Sequence, residues 1–176
     1  MTKNILKYLY VSLFSFIAFS CAKEDIGGTA VQDMAGEWYV IMDYTDEEGN
    51  VLMPDVYDLG YNQLFTYNTN ANLATEMYIE FISNDEDEYN SFRVITNVDY
   101  ANKTFSVTDV EDDYYGYIYS ITNGKVVKDG AVSPAGYTAD SISFTLIEEY
   151  DYGDEHYVDY YLIHGYRRTG LLGGYD

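Results

Sequence analysis

The sequence predicts an all-β fold of about eight antiparallel strands, and three observations lead to it. From Gly36 onward, apolar and polar residues alternate with a period of two, and no long stretch follows the helical period of 3.6. Turn-forming residues recur between these runs at short intervals, which is typical of a sandwich or a barrel. The chain has 176 residues of which 47% are hydrophobic, and this is enough to bury the core of one domain.

The strands are predicted from runs with one apolar face. The first run places Trp38, Val40, Met42 and Tyr44 on one face. A weaker strand is predicted at 64–67, and Asn123-Gly124 predicts a hairpin because both residues tolerate positive φ. The other predicted apolar faces are Met77, Ile79 and Phe81; Phe92, Val94, Thr96 and Val98; Phe105 and Val107; Tyr115, Tyr117, Tyr119 and Ile121; Ile142, Phe144 and Leu146; and Val158, Tyr160, Leu162 and His164.

One connection, residues 45–63, is much longer than the others. A long irregular loop in a compact domain is often a lid or a binding element. Met53, Val56, Tyr57 and Leu59 give this loop an apolar character, so we expect it to cover the mouth of the fold.

The first 20 residues have the pattern of a signal peptide. Lys3 and Lys7 precede an almost wholly apolar run at 8–19, which is too short for a membrane-spanning helix of roughly 20 residues. The run ends in Ala18-Phe19-Ser20-Cys21, and a small residue before the single cysteine of the chain resembles a bacterial lipobox, although Phe19 departs from its preference for small residues.

We therefore expect a signal peptide at 1–20, a lipidated Cys21 with a tether at 21–33, and the β domain at 34–176. Two or more acyl chains anchor a protein stably in a membrane. The acidic residues that follow Cys21 resemble the export signal of surface lipoproteins in the Bacteroidetes. We therefore expect an outer-membrane lipoprotein, and more specifically one that is exposed at the cell surface. The alternative is an ordinary signal peptide followed by an incidental cysteine.

Charge and cysteine content exclude several classes of protein. There are 30 acidic and 9 basic residues, a formal net charge of −21, whereas binding to nucleic acid requires a basic face. One cysteine excludes an intrachain disulfide and a cysteine-based zinc site. No cofactor is predicted.

Two motifs lie at the ends of the β domain. Gly36-Glu37-Trp38 opens the first strand, and Arg167-Arg168 ends the last. Together they resemble the motifs of the calycin superfamily, the lipocalin-like barrels. In lipocalins a basic residue of the last strand packs across the tryptophan of the Gly-x-Trp motif, a contact that combines cation–π attraction with hydrogen bonding. We expect one of the two arginines to stack on Trp38 and the other to be exposed.

Four further segments of the β domain carry a more specific resemblance. They are Tyr67-Asn68-Thr69, Gly124-Lys125-Val126, Asp140-Ser141-Ile142 and Gly165-Tyr166-Arg167-Arg168-Thr169-Gly170. With them the sequence resembles, over residues 34–172, the Bacteroidetes family called lipid-binding putative hydrolase. After Gly170 the chain continues with leucine where an aromatic residue is expected. The resemblance implies a calycin-like barrel.

A small barrel either holds one ligand or is filled by its own side chains, and the sequence leaves both open. The leading hypothesis is a non-catalytic lipoprotein that binds a lipid or another apolar small molecule. The alternative is a lipoprotein that contacts glycan or protein through exposed tyrosines. The predicted ligand contacts are Met42, Met77, Phe81, Phe144, Tyr160 and Leu162, with Tyr57 from the long loop.

A hydrolase is the third hypothesis, and no catalytic residue is assigned for it. The chain lacks a Gly-x-Ser-x-Gly elbow, and its only histidines are His156, in an acidic loop, and His164. The members of a catalytic triad need not be close together in the sequence. A triad of His164 with a serine and an aspartate therefore remains an open alternative. The acidic clusters at 85–88, 109–113 and 151–155 lack EF-hand spacing, so solvated loops are favoured over calcium sites and no metal is predicted.

Overall fold

The computed structural model describes residues 28–84 and 91–170, which form a closed antiparallel β-barrel. Cys21 and the predicted signal peptide lie outside the described residues. A 3-10 turn spans Val56–Asp58. The strands are β1 (Gly36–Thr45), β2 (Val51–Met53), β3 (Asn62–Tyr67), β4 (Glu76–Ile82), β5 (Phe92–Asp99), β6 (Thr104–Glu111), β7 (Ile118–Val132), β8 (Thr138–Tyr152) and β9 (Glu155–Arg167).

The barrel closes where β9 pairs with β1. Strands β3 to β9 pair in chain order, and β1 completes the ring between β9 and β3, so that eight strands form the wall. The short β2 is added to the end of β1. The predicted fold, an antiparallel calycin-like barrel of about eight strands, is confirmed.

The seam between β1 and β9 runs in one register from Trp38 opposite Arg167 to Thr45 opposite Tyr160. Gly165 lies inside this seam, and a Cβ at that position would come within 2.0 Å of the Tyr39 carbonyl oxygen. Only glycine allows the two backbones to approach so closely.

The barrel interior is filled by apolar side chains from every wall strand. Packing starts before the first strand, because Val31 and Met34 are fully buried, although the sequence predicted a tether up to residue 33. A second cluster on the outer face joins Tyr39, Ala139 and Tyr166. The middle of the interior contains Val40, Met42, Leu64, Met77, Ile79, Phe81, Phe92, Val94, Ile121, Ile142, Phe144, Leu146 and Ile163.

The predicted hairpin at Asn123-Gly124 was wrong, because both residues lie inside β7. Asn123 has a φ of 55°, and the register with β8 shifts between Thr122 and Lys125, which marks a bulge. The tolerance of positive φ that suits a tight turn suits a bulge equally well. The predicted face that began at Tyr115 was also too long, since β7 starts at Ile118 and Tyr115 is exposed in the preceding turn.

The predicted inward face of the last strand was wrong as well. Ile163 lies opposite both Met42 and Phe144, so Ile163 and its neighbour on the same face, Tyr161, point into the core. Tyr160, Leu162 and His164 consequently lie on the outer face. Both faces of β9 are rich in large apolar residues, and a shift by one residue exchanges the faces.

Candidate functional site

The connection between β1 and β3 covers one end of the barrel, which we call the open end. This mouth loop, residues 46–61, contains β2 and the 3-10 turn. Val56 of the turn is only 5% exposed and belongs to the core cluster, so the loop closes the interior with an apolar side chain. The three residues of β2 remain exposed, and Leu52 reaches 61%.

The mouth loop has a strained backbone. Asp55, Tyr57 and Asp58 have φ values of 48°, 66° and 54°, in the left-handed region that side chains other than glycine disfavour. Each such residue costs about 1 kcal/mol. The hydrogen bonds that hold the loop in this form include those from the Asp55 amide to Asp43 Oδ1 at 2.8 Å and from the Gly60 amide to Asp55 Oδ1 at 2.9 Å.

Tyrosines and carboxylates form a polar layer of the interior just below the open end. Asp159 accepts hydrogen bonds from the hydroxyls of Tyr44, at 3.1 Å, and Tyr150, at 2.9 Å. The Tyr119 hydroxyl donates to Glu148 Oε1 at 3.1 Å. We call these five residues and the adjoining Tyr161 the tyrosine–carboxylate layer.

Burial shifts the pKa values in this layer. It is the main cause that raises the pKa of the Tyr119 and Tyr161 hydroxyls. Burial also raises the pKa of Glu148, and the negative charge of Asp159 acts in the same direction. The pKa of Tyr150 rises to about 12, through burial and its hydrogen bond to Asp159. For each of these four groups the shift is toward the protonated form.

The ion pairs of the described residues lie on the outer wall, at the other end of the barrel and at the β8–β9 hairpin, where His156 pairs with Asp151 at 2.9 Å. Arg93 pairs with Asp113 at 2.8 Å on the outer wall. The ion pairs at the other end of the barrel, the closed end, are Lys103 with Asp33, Arg167 with Asp140 and Arg168 with Glu37. The tyrosine–carboxylate layer is consequently without an ion pair among the described residues.

The motif residues come together at the closed end. Arg167 lies 4.3 Å from the centre of the Trp38 ring and donates to the backbone carbonyls of Asp33 and Ala35. A Cβ at Gly36 would meet the Arg167 guanidinium at 2.5 Å, which explains the small residue there. Arg168 is the exposed partner and binds Glu37 at 2.7 Å.

The structure brings together four of the seven predicted ligand contacts. Met42, Met77, Phe81 and Phe144 are buried side by side in the core cluster. Tyr57 is exposed on the mouth loop, where its hydroxyl interacts with Tyr161. Tyr160 and Leu162 are separated from the group because they face outward, as described above.

Three of the clefts that border the described residues are lined by none of the seven predicted contacts. One, of about 620 Å³, borders β5, β6 and β7, and another, of about 450 Å³, lies beside Arg167 at the closed end. The third, which we call the outer cleft, has about 290 Å³. Its lining residues are Ile41, Tyr61, Gly130, Ala131, Ser141, Ile142, Ser143, His164, Gly165 and Tyr166.

His164 meets a carboxylate at the edge of the outer cleft. Its Nε2 lies 3.1 Å from Asp43 Oδ2, and Asp43 is only 7% exposed although it points away from the core. Sequence reasoning missed Asp43 because the two residues are 121 positions apart and only the closing seam brings them together. The only feature of the sequence that could have indicated Asp43 was its position on the outer face of β1.

The described residues contain no helix long and apolar enough to cross a membrane. In the same part of the chain, no three histidine, cysteine or acidic side chains converge as a metal site would require.

A family model described as lipid-binding putative hydrolase matches residues 23–172. The chain belongs to this family. The match extends from the segment before the barrel to just beyond β9, so it includes the mouth loop, the interior and the outer cleft. No curated protein matches the chain. Family membership and the closed barrel together support lipid binding as the broad function.

Proposed function

We propose that this protein is a membrane-anchored lipoprotein whose barrel binds the apolar part of an amphipathic molecule through its open end. The observation that carries the proposal is the mouth loop. It places Val56 in the apolar core and leaves Leu52 and Met53 exposed, and the backbone on both sides of Val56 is strained. Exposed apolar residues beside a site often take part in binding.

Opening of the mouth loop provides the mechanism. When Val56 leaves the core, the end of an acyl chain takes its place against the core side chains beneath it. The left-handed residues Asp55, Tyr57 and Asp58 lower the cost of this movement, because their strain is released. Each methylene that is buried contributes about 0.8 kcal/mol before ordering costs are subtracted. Binding of this kind requires no covalent step.

The polar part of the ligand would lie against the tyrosine–carboxylate layer. Its hydroxyls and carboxylates offer hydrogen bonds to a headgroup, while Glu148 and Asp159 repel an anionic one. We therefore expect an amphiphile with a neutral or cationic headgroup to bind more tightly than a fatty-acid anion of equal chain length. Added salt should reduce that difference in affinity, because it screens the exposed charges at the open end.

Titration of the full-length chain with fluorescent acyl-chain ligands tests the proposal. We expect saturable binding, weakened about tenfold by the double substitution Leu52→Ser and Met53→Ser in the mouth loop. The matched control is Leu73→Ser with Val132→Ser, which removes two exposed apolar residues from the closed end. Absence of saturable binding, or an equal loss in both double variants, would contradict the proposal.

The membrane anchor is tested separately at Cys21. The support for it is the sequence of the first 21 residues, with a basic start, an apolar run and the single cysteine. Labelling with a palmitate analogue in the bacterial host should modify the wild-type chain and leave Cys21→Ser unmodified. The wild type should sediment with outer membranes, and accessibility of whole cells to protease tells which face of the membrane it occupies.

A second candidate function is contact with glycan or protein, and exposed tyrosines at the open end favour it. Tyr152 is 78% exposed at the tip of the β8–β9 hairpin, and Tyr115 is exposed in the turn before β7. Tyr150 and Tyr157 stack nearby with ring centres 5.5 Å apart. If this surface is the site, Tyr115→Ser with Tyr152→Ser should abolish binding on a glycan array and leave the acyl-chain titration unchanged.

A further inference from the structure

We propose that the outer cleft is a hydrolytic site for small acyl esters, in which Ser143 is the nucleophile, His164 the base and Asp43 the residue that orients the base. The site lies on the outer face of the barrel, separate from the interior that would hold an amphipathic ligand. It therefore goes beyond the proposed function and does not depend on it.

The barrel closure places the three residues on three adjacent strands. Ser143 of β8 lies directly opposite His164 of β9, and His164 lies opposite Ile41 of β1. Asp43 follows Ile41 by two residues on the same face, so it is the diagonal neighbour of His164. Directly opposite residues have Cβ atoms about 4.5–5.5 Å apart, which brings a serine hydroxyl near the imidazole ring.

Asp43 determines which nitrogen of His164 can act as a base. At 3.1 Å, the Asp43 Oδ2 atom accepts the proton carried by Nε2 in the neutral ring. The lone pair is then left on Nδ1. Asp43 itself is held in place, because its Oδ1 accepts the Asp55 amide at 2.8 Å. This is the arrangement of nucleophile, base and orienting acid that acyl transfer requires.

The hydroxyl of Ser143 makes no hydrogen bond within the described part of the chain, although it borders the cleft. It is therefore able to turn toward Nδ1 when a substrate is bound. Hydrogen bonds between nucleophile and base are often absent or long before substrate binds.

The shape of the outer cleft indicates the substrate class. Its volume of about 290 Å³ is at the lower end of the range for ligand pockets, and Ile41, Tyr61 and Tyr166 give it apolar walls. A Cβ at Gly130 would come within 2.4 Å of the Ser141 hydroxyl, so the β7 backbone closes one side tightly. Acetyl and butyryl esters fit such a space better than long acyl chains.

The reaction balances without a cofactor. Ser143 Oγ bonds to the ester carbonyl carbon while its proton passes to His164 Nδ1, and Asp43 stabilises the imidazolium that forms. The attack leaves the negative charge on the former carbonyl oxygen. When this oxyanion collapses, the bond between the acyl carbon and the ester oxygen breaks, the imidazolium protonates that oxygen, and the alcohol departs from the acyl-serine. Water attacks the acyl-serine with help from the same histidine, the carboxylic acid departs and the serine hydroxyl is restored.

Labelling of the full-length wild-type chain with a fluorophosphonate probe tests the assignment without a variant. We expect the probe on the peptide that contains Ser143, identified by mass spectrometry. In parallel, p-nitrophenyl acetate and butyrate should be hydrolysed at least tenfold faster than the octanoate. Absence of the label from Ser143 overturns the proposal.

Substitutions separate catalysis from structure. Ser143→Ala should abolish labelling, His164→Gln should lower hydrolysis about 100-fold, and Asp43→Asn should lower it about tenfold. The matched control is Thr145→Ala, on the same strand and outer face but outside the cleft, which should retain the wild-type rate. Circular dichroism and melting temperature monitor folding. A Ser143→Ala chain that keeps the wild-type rate contradicts the proposal.

Discussion

Trp38 is the residue around which the closed end is organised. Its indole nitrogen donates to Thr66 Oγ1 at 2.8 Å, its ring lies under the Arg167 guanidinium, and it is fully buried. Thr66 in turn donates to the carbonyl of Met34 at 2.6 Å. The segment before β1, through Met34, and the last strand, through Arg167, are thereby both linked to the Trp38 ring.

The two adjacent arginines should differ sharply in their effect on stability. Arg167→Ala removes the cation–π contact and hydrogen bonds to carbonyls, so we expect a loss of about 2–3 kcal/mol in the free energy of unfolding. Arg168→Ala removes one exposed ion pair with Glu37, and such pairs contribute about 0–1 kcal/mol. Chemical denaturation measures both values. Equal, small effects would argue against the closed-end contact as a stabilising feature.

Two buried threonines should respond in opposite ways to valine. Thr45 Oγ1 has no hydrogen-bond partner within the described residues, so Thr45→Val should stabilise the protein by about 1 kcal/mol. Thr66→Val leaves the Trp38 nitrogen and the Met34 carbonyl unpaired and should cost about 1–3 kcal/mol. Melting curves of both variants provide the comparison. Destabilisation by Thr45→Val would indicate that the hydroxyl has an unseen partner.

At the scale of the strands, the buried face could be predicted from the sequence only where the opposite face was polar. In β4 and β5 every second residue is buried, and the sequence assigned these faces correctly. In β9, tyrosine, leucine and isoleucine occur on both faces, so alternation could not choose between them. The β7 bulge was missed for a related reason, since Asn-Gly has the same local preference in a bulge and in a turn.

The seam between β1 and β9 should tolerate no side chain at Gly165. Gly165→Ala places a methyl group 2.0 Å from the Tyr39 carbonyl oxygen, so the strands must separate, and we expect a loss of more than about 3 kcal/mol. Gly153→Ala, at positive φ in the β8–β9 turn with open space around it, is the control and should cost only about 1 kcal/mol. Similar losses at the two sites would show that backbone conformation, and not the seam, is responsible.

At the scale of the whole molecule, charge is distributed unequally between the two ends. The described arginines and Lys103 pair with carboxylates on the wall or at the closed end, whereas the open end combines tyrosines with carboxylates. The field at the open end is therefore negative. It attracts cationic and neutral headgroups and repels anionic ones, which is a property of the arrangement and not of the net charge alone.

Glu148 should make stability depend on pH. Burial raises its pKa in the folded state, so the folded chain retains this proton at pH values where the unfolded chain has lost it. The stability contributed by the protonated form is present below the ordinary glutamate pKa of 4.5 and falls as pH rises through the folded value. Glu148→Gln should accordingly raise the melting temperature at pH 7 and have little effect near pH 3.

The control for Glu148 is Glu47→Gln, which removes an equal charge from an exposed position on the mouth loop. It should leave the melting temperature nearly unchanged at both pH values. If the two glutamine variants behave alike, net charge and not burial accounts for the effect.

By itself, the sequence determined the all-β class, the approximate strand number and the family, because alternation and the Gly-x-Trp and Arg-Arg motifs are local or terminal signals. Only the tertiary structure decided which face of β9 is buried, that the interior is packed beneath Val56, and that Asp43, His164 and Ser143 share one surface. The physical reason is barrel closure. It joins the first and last strands, and no pattern within either strand specifies the register in which they meet.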